Sequence, residues 1–280
     1  MDSRVRIITN KKSLSEYISE IWSYGELFWI LAKRDILVKY KQAVLGIGWA
    51  AIRPLITTVV MALAFGRIGK LDTTTTIPFM LVVSAGVTVW LFFSQSLATI
   101  SMSLVQNSNL VTKVYFPRLI IPISSIFVGM VDVLVSLLVF LGLCIVYQFV
   151  PDWKIIFVPV IVALTFLSCF GVGLIAAVLN VKYRDIGQII PFIIQFGMFL
   201  SPVAYLTDSY KTNAMGTWFY KIAVLNPVTG CIDAMRWAML GDFAKFNWDS
   251  FIPLMVFILI SFIYSIWFFR KHEDTFVDYI

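Results

Sequence analysis

The chain has 280 residues, of which 60% are hydrophobic, 16% are aromatic and only 14% are charged. A soluble core cannot absorb this much apolar surface, so the composition excludes a soluble globular protein and indicates an integral membrane protein. The formal net charge of +6 is attributed to membrane topology and anionic lipid headgroups rather than to a nucleic acid partner.

The first 44 residues are predicted to form a cytoplasmic collar in front of the membrane domain. Apolar residues recur at the spacing of an amphipathic helix over residues 14–22, and Gly25 is expected to end that helix. Residues 26–41 are apolar at first and basic at the end, which suits a helix lying in the headgroup layer. A simple membrane anchor is the alternative. The candidate interface residues are Arg34, Asp35, Lys39, Tyr40, Lys41 and Trp49.

Six stretches are apolar and long enough to cross the membrane as helices, which takes roughly 20 residues each. They define a predicted membrane domain over residues 45–269, followed by a cytoplasmic tail at 270–280. Arg53 and Pro54 interrupt the first stretch, and the third has an unusual length, so five or seven spans remain alternatives. The predicted spans are residues 45–66, 77–100, 118–148, 155–179, 188–206 and 250–269.

Lysine and arginine residues predict the orientation of the spans. With six spans both termini lie on one side, and most of the 22 Lys and Arg residues fall on that side. Basic residues are enriched in cytoplasmic loops, so the N-terminus and the C-terminus are predicted to be cytoplasmic.

Two short loops on the cytoplasmic side each combine cations with aromatic rings. We call them the first short loop (residues 106–118) and the second short loop (residues 180–187). Exposed rings at Tyr115, Phe116 and Tyr183 would be unfavourable unless they dock into a partner. Burial against the collar explains the same residues equally well at this point. The candidate docking residues are Asn107, Lys113, Tyr115, Phe116, Arg118, Lys182, Tyr183, Arg184 and Asp185.

Most of the residues predicted to lie on the exported side belong to one long connection, residues 207–249. Its apolar residues are spaced helically around 218–225 and 228–240, with a break at Asn226 and Pro227. This pattern predicts two short helices that dip back toward the membrane as a lid or lining. The candidate gate residues here are Trp218, Phe219, Tyr220 and Trp237.

Three polar residues within the spans are further candidates for a channel, since polar groups in the membrane are costly. Arg53 is close enough to the cytoplasmic boundary to extend its side chain to the headgroups. Asp132 lies near the middle of the third span with no cationic partner on the same helix, and a hydrogen-bonded carboxyl that holds a neighbouring helix is favoured over a transport role. Gln195 is expected to make an interhelical hydrogen bond or to line a passage.

The inventory of catalytic groups is poor. The one histidine, His272, lies in the tail, so the sequence lacks the histidines that a His-based metal site or a Ser/His/Asp triad in the membrane domain would need. The glycines of residues 66–70 do not have the spacing of a phosphate-binding loop. No catalytic residue, metal site or cofactor is therefore expected in this chain.

The order of several motifs resembles the permease subunit of type 2 ABC exporters. The pattern R-D-x-x-x-K-Y-K-x-x-x-L-G-x-x-W-x-x-x-x-P-L covers residues 34–55, and K-V-Y-F-P-R (113–118), K-Y-R-D (182–185), S-P-V-x-Y (201–205) and L-N-P (225–227) follow. Within that family the chain looks most like exporters of O-antigen, capsule or teichoic acid polymers. Residues 42–44 depart from the family, which often has a small hydroxyl residue before Leu-Gly.

The resemblance implies an all-α membrane protein of the bacterial inner membrane that pairs with a second copy of itself. Each copy would bind a separate ATPase subunit, which holds ATP and Mg²⁺, and the two short loops would act as coupling helices. Spans one and five would line a central conduit, and the exported helices would form a gate. The implied function is ATP-driven export of a lipid-linked polysaccharide.

Two other functions remain open on the residues alone. An ABC permease for a small amphiphile or drug would have the same plan. A membrane-embedded enzyme or ion-coupled carrier would need several intramembrane carboxylates or a histidine, whereas Asp132 stands alone in the spans.

Overall fold

The structure is a computed structural model that describes residues 14–41, 46–68, 77–207 and 214–279. The described residues form helices joined by turns, with no strand among them. This confirms the all-α membrane class. The departure from the family pattern at residues 42–44 lies outside the described residues.

Two helices precede the membrane-spanning bundle. Helix α1 (Leu14–Ser23) and helix α2 (Gly25–Lys41) meet at Tyr24, so Gly25 begins the second helix. Tyr17 is buried, but Trp22 on the same predicted apolar stripe is 81% exposed. The stripe of α1 is therefore only partly covered by the protein.

Five helical segments are long and apolar enough to cross a membrane. The second of them, helix α4 (Phe79–Gln106), lies at the centre and is buried along most of its length. The first, third and fourth segments pack against it, whereas the fifth packs against the fourth. The five segments are Gly48–Gly66, Phe79–Gln106, Ile120–Val146, Trp153–Lys182 and Trp248–Thr275. They contain helices α3 (Gly48–Met61), α4 (Phe79–Gln106), α6 (Ile120–Ser124), α7 (Phe127–Val146), α8 (Val158–Lys182) and α12 (Trp248–His272).

The predicted fifth span corresponds to a shorter helix, α9 (Ile186–Leu200). Its 15 residues rise about 22 Å, less than the roughly 30 Å hydrocarbon core. The prediction of a span to residue 206 is wrong in its last part, because Pro202 disfavours helical geometry at Ser201. Beyond Leu200 the chain continues through turns and bends at residues 201–207.

The first and third spans are irregular at positions that the sequence did not predict. Pro54 lies inside a continuous α3, and the first span changes to a π-helical turn only at Ala62–Ile68. The long third span breaks between α6 and α7. Near that break, Ser124 and Ser125 hydroxyls donate to the carbonyls of Ile121 and Pro122.

Helix α1, the tail that follows α12 and both short loops meet at one end of the bundle, which we call the terminal end. Tyr17 of α1 donates a hydrogen bond to Glu273 of the tail, and Arg34 of α2 donates one to Asn107 of the first short loop. Helix α5 (Ser108–Lys113) and the tail helix α13 (Phe276–Tyr279) also lie there. The described chain therefore starts and finishes at the same end of the bundle, as an even number of spans requires.

The opposite end, which we call the far end, contains two helices between α9 and α12. They are α10 (Ala214–Leu225) and α11 (Pro227–Leu240). Asn226 caps α11 by accepting a hydrogen bond from Val228 N, and Pro227 occupies its first turn. The break between the helices is at the predicted place, because both of its signals are local.

Candidate functional site

The first short loop presents one exposed face at the terminal end. Helix α5 follows α4 directly, and Asn107 joins them by donating its side-chain amide to the Ser103 carbonyl. Tyr115 is 56% exposed and Val114 is 51% exposed, and Lys113 is also exposed. These residues form an apolar and cationic surface that a partner could cover.

Phe116 does not belong to that surface. The side chain is buried within the hydrophobic core, with 5% of it exposed. The prediction that Phe116 is exposed is wrong, since Pro117 and Leu119, which are buried too, turn the chain into the bundle at this point. Of the two explanations left open by the sequence, burial holds for Phe116 and exposure for Tyr115.

The second short loop is exposed from Lys182 to Asp185, while Asn180 and Val181 at its start are buried. It joins α8 to α9, and Tyr183 is 53% exposed with the Lys182 ammonium 5.2 Å from its ring centre. Arg184 and Asp185 are exposed as well. A ring held under a cation and open to water is a suitable contact for a partner protein.

The tail contributes a carboxylate that sequence reasoning missed. Tyr17 donates to both oxygens of Glu273 at 3.1 and 3.0 Å, and Arg118 N donates to Oε1 at 3.1 Å. The Arg118 guanidinium also donates to the Glu273 carbonyl. Burial and the neighbouring carboxylate raise the pKa of Tyr17, so its hydroxyl remains a donor. Arg118 is therefore occupied within the chain, and α1, the first short loop and the tail form one unit.

Replacing Glu273 with alanine is expected to loosen this unit, since the Tyr17 hydroxyl and the Arg118 amide lose their acceptor. A buried donor left without a partner costs about 1–3 kcal/mol. Limited proteolysis of the purified protein should cut the tail faster in Glu273→Ala. The matched control is Asp274→Ala, which removes an exposed carboxylate next in the chain. Equal cleavage of both variants would show that the bonds to Glu273 contribute nothing.

The interface helix α2 is attached to the bundle by its charged residues. Arg34 pairs with Asp35 at 2.7 Å and donates to Asn107 Oδ1 at 2.7 Å. Lys41 is exposed beyond these contacts, and Trp49, which follows on α3, is 54% exposed. The helix is thus fixed to the first short loop on one side and open on the other.

Asp132 has a cationic partner on another helix. Lys39 Nζ lies 2.5 Å from Asp132 Oδ2, and Tyr40 donates to Oδ1 at 2.6 Å. Burial and this hydrogen bond raise the pKa of Tyr40, which stays a donor. The carboxyl lies in the second turn of α7 and holds α2 against it. The favoured interpretation, a carboxyl that binds a neighbouring helix, describes this geometry.

Helices α3 and α9 carry exposed polar residues within their apolar surface, a property that α12 lacks between Ile252 and Ile263. Between Ile252 and Ile263 the exposed residues of α12 are all apolar. On α3 the exposed set includes Arg53, which donates to Gln95 Oε1 at 3.1 Å. On α9 it includes Gln195, so the expected interhelical bond of Gln195 is not formed within the described part of the chain. The exposed rings beside it are Phe192, Phe196 and Phe199.

The predicted gate residues at the far end separate into two groups. Trp218 and Phe219 of α10 are 71% and 54% exposed, while Tyr220 donates to Asp249 at 2.8 Å. Trp237 of α11 is instead packed, with the Phe157 ring at 5.4 Å. Helix α10 presents rings to the surroundings, and α11 is an internal element.

Two buried charges of α11, Asp233 and Arg236, were missed as site residues. Asp233 accepts hydrogen bonds from Thr207 at 2.7 Å, Ser250 at 2.9 Å and Asn247 at 3.0 Å. Arg236, 1% exposed, donates to three backbone carbonyls. They belong to Val82 at 3.3 Å, Val203 at 2.8 Å and Tyr205 at 2.9 Å. A charged residue in a mostly apolar helix was the only signal in the sequence.

Among the described residues no group of three or more metal-ligating side chains comes together. The three cysteines are buried and unpaired. The candidate functional features are therefore the two short loops with their exposed residues, helix α2, and the exposed polar and aromatic faces of α3, α9 and α10. A family model covers all of these features: the model of the ABC-2 type transporter matches residues 26–240.

The chain belongs to the ABC-2 type transporter family. Its match runs from the start of the interface helix to the end of α11, so it includes both short loops and the far-end helices. As an ABC-2 type transporter, this is a multi-pass membrane protein. The ABC-2 family resemblance drawn from the motifs is confirmed.

Curated relatives narrow the comparison within the ABC-2 family. A protein of Myxococcus xanthus named "O-antigen export system permease protein RfbA" is 27% identical over 244 residues, which cover 87% of this chain and 90% of the relative. A protein of the same name from Klebsiella pneumoniae is 24% identical over 236 residues, covering 84% and 88%. A second Klebsiella pneumoniae protein with that name is 23% identical over 235 residues.

Proposed function

We propose that this chain is the membrane subunit of an ATP-driven exporter that moves a lipid-linked polysaccharide of the O-antigen type out of the cytoplasm. The observation that carries the proposal is the similarity to three O-antigen export permeases over nearly the whole chain. The structure supports it with two exposed docking loops at one end and exposed polar and aromatic faces along the membrane helices.

The proposed passage lies between two identical chains. Within one chain the central helix α4 is buried on most of its surface, which leaves the middle of the bundle filled with side chains. A polymer needs a wider path, and a two-fold pair of bundles provides one at its seam. Helices α3 and α9 are assigned to that seam, because Arg53 and Gln195 are poorly suited to face lipid.

The energy is proposed to come from a separate ATPase subunit, present in two copies. The sequence has no phosphate-binding loop of its own, so ATP and Mg²⁺ are assigned to that partner. Tyr115 and Tyr183 with their cationic neighbours are the proposed contacts. Closure of the ATPase pair would push both short loops and, through them, shift α4, α8 and α9.

The same proposal assigns the chain to the bacterial inner membrane, with both termini in the cytoplasm. The terminal end is the basic one, as cytoplasmic ends of membrane proteins are. Lys33, Lys41 and Lys271 are exposed there, where they suit anionic lipid headgroups. The far-end helix α10 would then lie at the outer leaflet, where its exposed rings form part of the gate.

Deletion of the gene tests this proposal directly. We expect lipid-linked polymer to accumulate inside the cells and to disappear from the surface, because synthesis continues while export stops. Extraction of glycolipid from the membrane, with surface labelling of glycan, measures both pools. Re-expression of the chain should restore the surface polymer. Normal surface polymer together with retention of a small amphiphile would instead identify an efflux permease.

A further inference from the structure

A cavity of about 410 Å³ lies at the terminal end between the interface helix α2 and helices α3, α4 and α7. Its volume is within the roughly 300–1,000 Å³ of small-ligand sites. The charged and aromatic residues on its wall are Lys39, Tyr40, Trp49, Arg53 and Asp132. Neither the two short loops nor the far-end helices contribute to it.

The wall of the cavity has an excess of positive charge. Lys39 is balanced by Asp132, whereas the partner of Arg53 is the neutral amide of Gln95. Among the described residues no carboxylate forms an ion pair with Arg53. The Arg53 side chain is exposed, so an anion can reach it. A fork of guanidinium donors beside a lysine is the arrangement that recognises phosphate.

The residues of α3 that line the cavity favour a depth near the headgroup layer. Arg53 lies about 8 Å of helix rise beyond Gly48, the first residue of α3. Trp49 lies on the same wall with 54% of its side chain exposed, and tryptophan favours the boundary between headgroups and hydrocarbon. A ligand here could keep an anionic group in the cavity and its lipid tail in the membrane.

The ion pair on the wall can exchange partners. The Lys39 side chain is 30% exposed and lies against two cavities, the present one and a neighbour of about 570 Å³ that reaches Arg34 and Asn107. Asp132 would still accept from Tyr40 if Lys39 turned away. A bound dianion can therefore pair with the Lys39 ammonium while the Asp132 carboxylate keeps its hydrogen bond from Tyr40.

We propose that this cavity binds the phosphate or diphosphate that links the exported glycan to its lipid, and that the phosphate takes Lys39 from Asp132. The inference rests on the proposed function, which supplies a lipid-linked substrate. Binding would release α2 from α7 at one contact, so loading of the substrate would loosen the interface helix beside the seam.

Binding of radiolabelled farnesyl diphosphate to the full-length chain in detergent micelles tests this inference. We expect Arg53→Gln to weaken binding by about tenfold, since one charged hydrogen-bonding group is lost. The matched control is Lys33→Gln, which removes an exposed cation of α2 that does not line the cavity. Asp132→Asn should tighten binding several-fold, because Lys39 is then free for the phosphate; weaker binding in this variant would overturn the exchange.

Competition with unlabelled compounds shows whether the site recognises a lipid-linked phosphate, free diphosphate or bulk membrane lipid. Unlabelled farnesyl diphosphate should displace the label, while farnesol, inorganic diphosphate and phosphatidylglycerol should displace it poorly. Equal displacement by farnesol would exclude phosphate recognition, equal displacement by phosphatidylglycerol would assign the site to bulk lipid, and equal displacement by inorganic diphosphate would exclude a lipid-linked ligand. The probe carries no sugar, so unchanged affinity in Arg53→Gln would overturn the site and leave the export proposal standing, which the deletion strain tests separately.

Discussion

Replacing Arg236 with methionine is expected to destabilise the far end of the bundle severely. The guanidinium donates to the carbonyls of Val203 and Tyr205, which lie in a segment without regular helix, and to that of Val82. Buried carbonyls without donors cost about 1–3 kcal/mol each, so the loss should reach roughly 3 kcal/mol or more. Thermal unfolding of the purified protein, followed by size-exclusion chromatography, measures it.

Two variants separate the role of these bonds from simple charge balance with Asp233. Lys221→Met removes an exposed cation at the same end and should change little. The double variant Arg236→Met with Asp233→Asn restores neutrality but still leaves the carbonyls without donors. We expect it to remain unstable. Wild-type stability in the double variant would mean that Arg236 acts only by balancing the charge of Asp233.

Gly86 allows these bonds to form. A Cβ atom at this position would lie 2.5 Å from the carbonyl oxygen of Val203 and 3.1 Å from Arg236 Nη2. Only a residue without a side chain lets the segment after α9 approach α4 so closely. The close approach of this segment to α4 therefore depends on one glycine of α4 and one arginine of α11.

Replacing both Tyr115 and Tyr183 with aspartate is expected to abolish export while the protein still inserts and folds. Each ring is more than half exposed, so the single chain loses little. In the proposed complex both rings are covered by the ATPase, where a central tyrosine contributes about 2 kcal/mol or more. Two such losses weaken the association by roughly a thousandfold. Co-purification of the ATPase and its activity in the complex provide the measurements.

Val150→Asp is the matched control for this double variant. Val150 is 86% exposed in the turn between α7 and α8 at the far end, so the same charge is added where no ATPase is expected. Its association with the ATPase should equal that of the wild type. Normal export by the Tyr115→Asp, Tyr183→Asp protein would contradict the proposed coupling role of both loops.

Local signals predicted most of the helices. The fold class follows from apolar length, and the break at Asn226 and Pro227 follows from a side-chain cap and a proline in the first turn. For Tyr115 and Tyr183 the sequence left open docking into a partner and burial against the collar; both rings are exposed in the structure, and docking remains a prediction. The end of α9 was misplaced because an apolar run continues through Val203 and Ala204 after the helix has ended.

Contacts between distant segments could not be predicted. Lys39 and Asp132 are 93 residues apart in the sequence, and Arg236 and Val82 are 154 apart. Arg118 was assigned to docking, yet Glu273, 155 residues further on, occupies it. Which residues meet depends on how each helix is rotated about its axis, and hydropathy along an apolar helix does not encode that rotation.

The sequence alone established an all-helical membrane protein with two short loops that combine aromatic and cationic residues, and it predicted that both termini lie on the basic side. These properties depend on the free energy of each segment in lipid, which composition sets. The tertiary structure alone decided that Phe116 is buried, that Asp132 pairs with Lys39 and that Arg236 binds backbone carbonyls. Side-chain partners in a membrane bundle depend on packing, because exposing one apolar helix face to lipid has nearly the same free energy as exposing another.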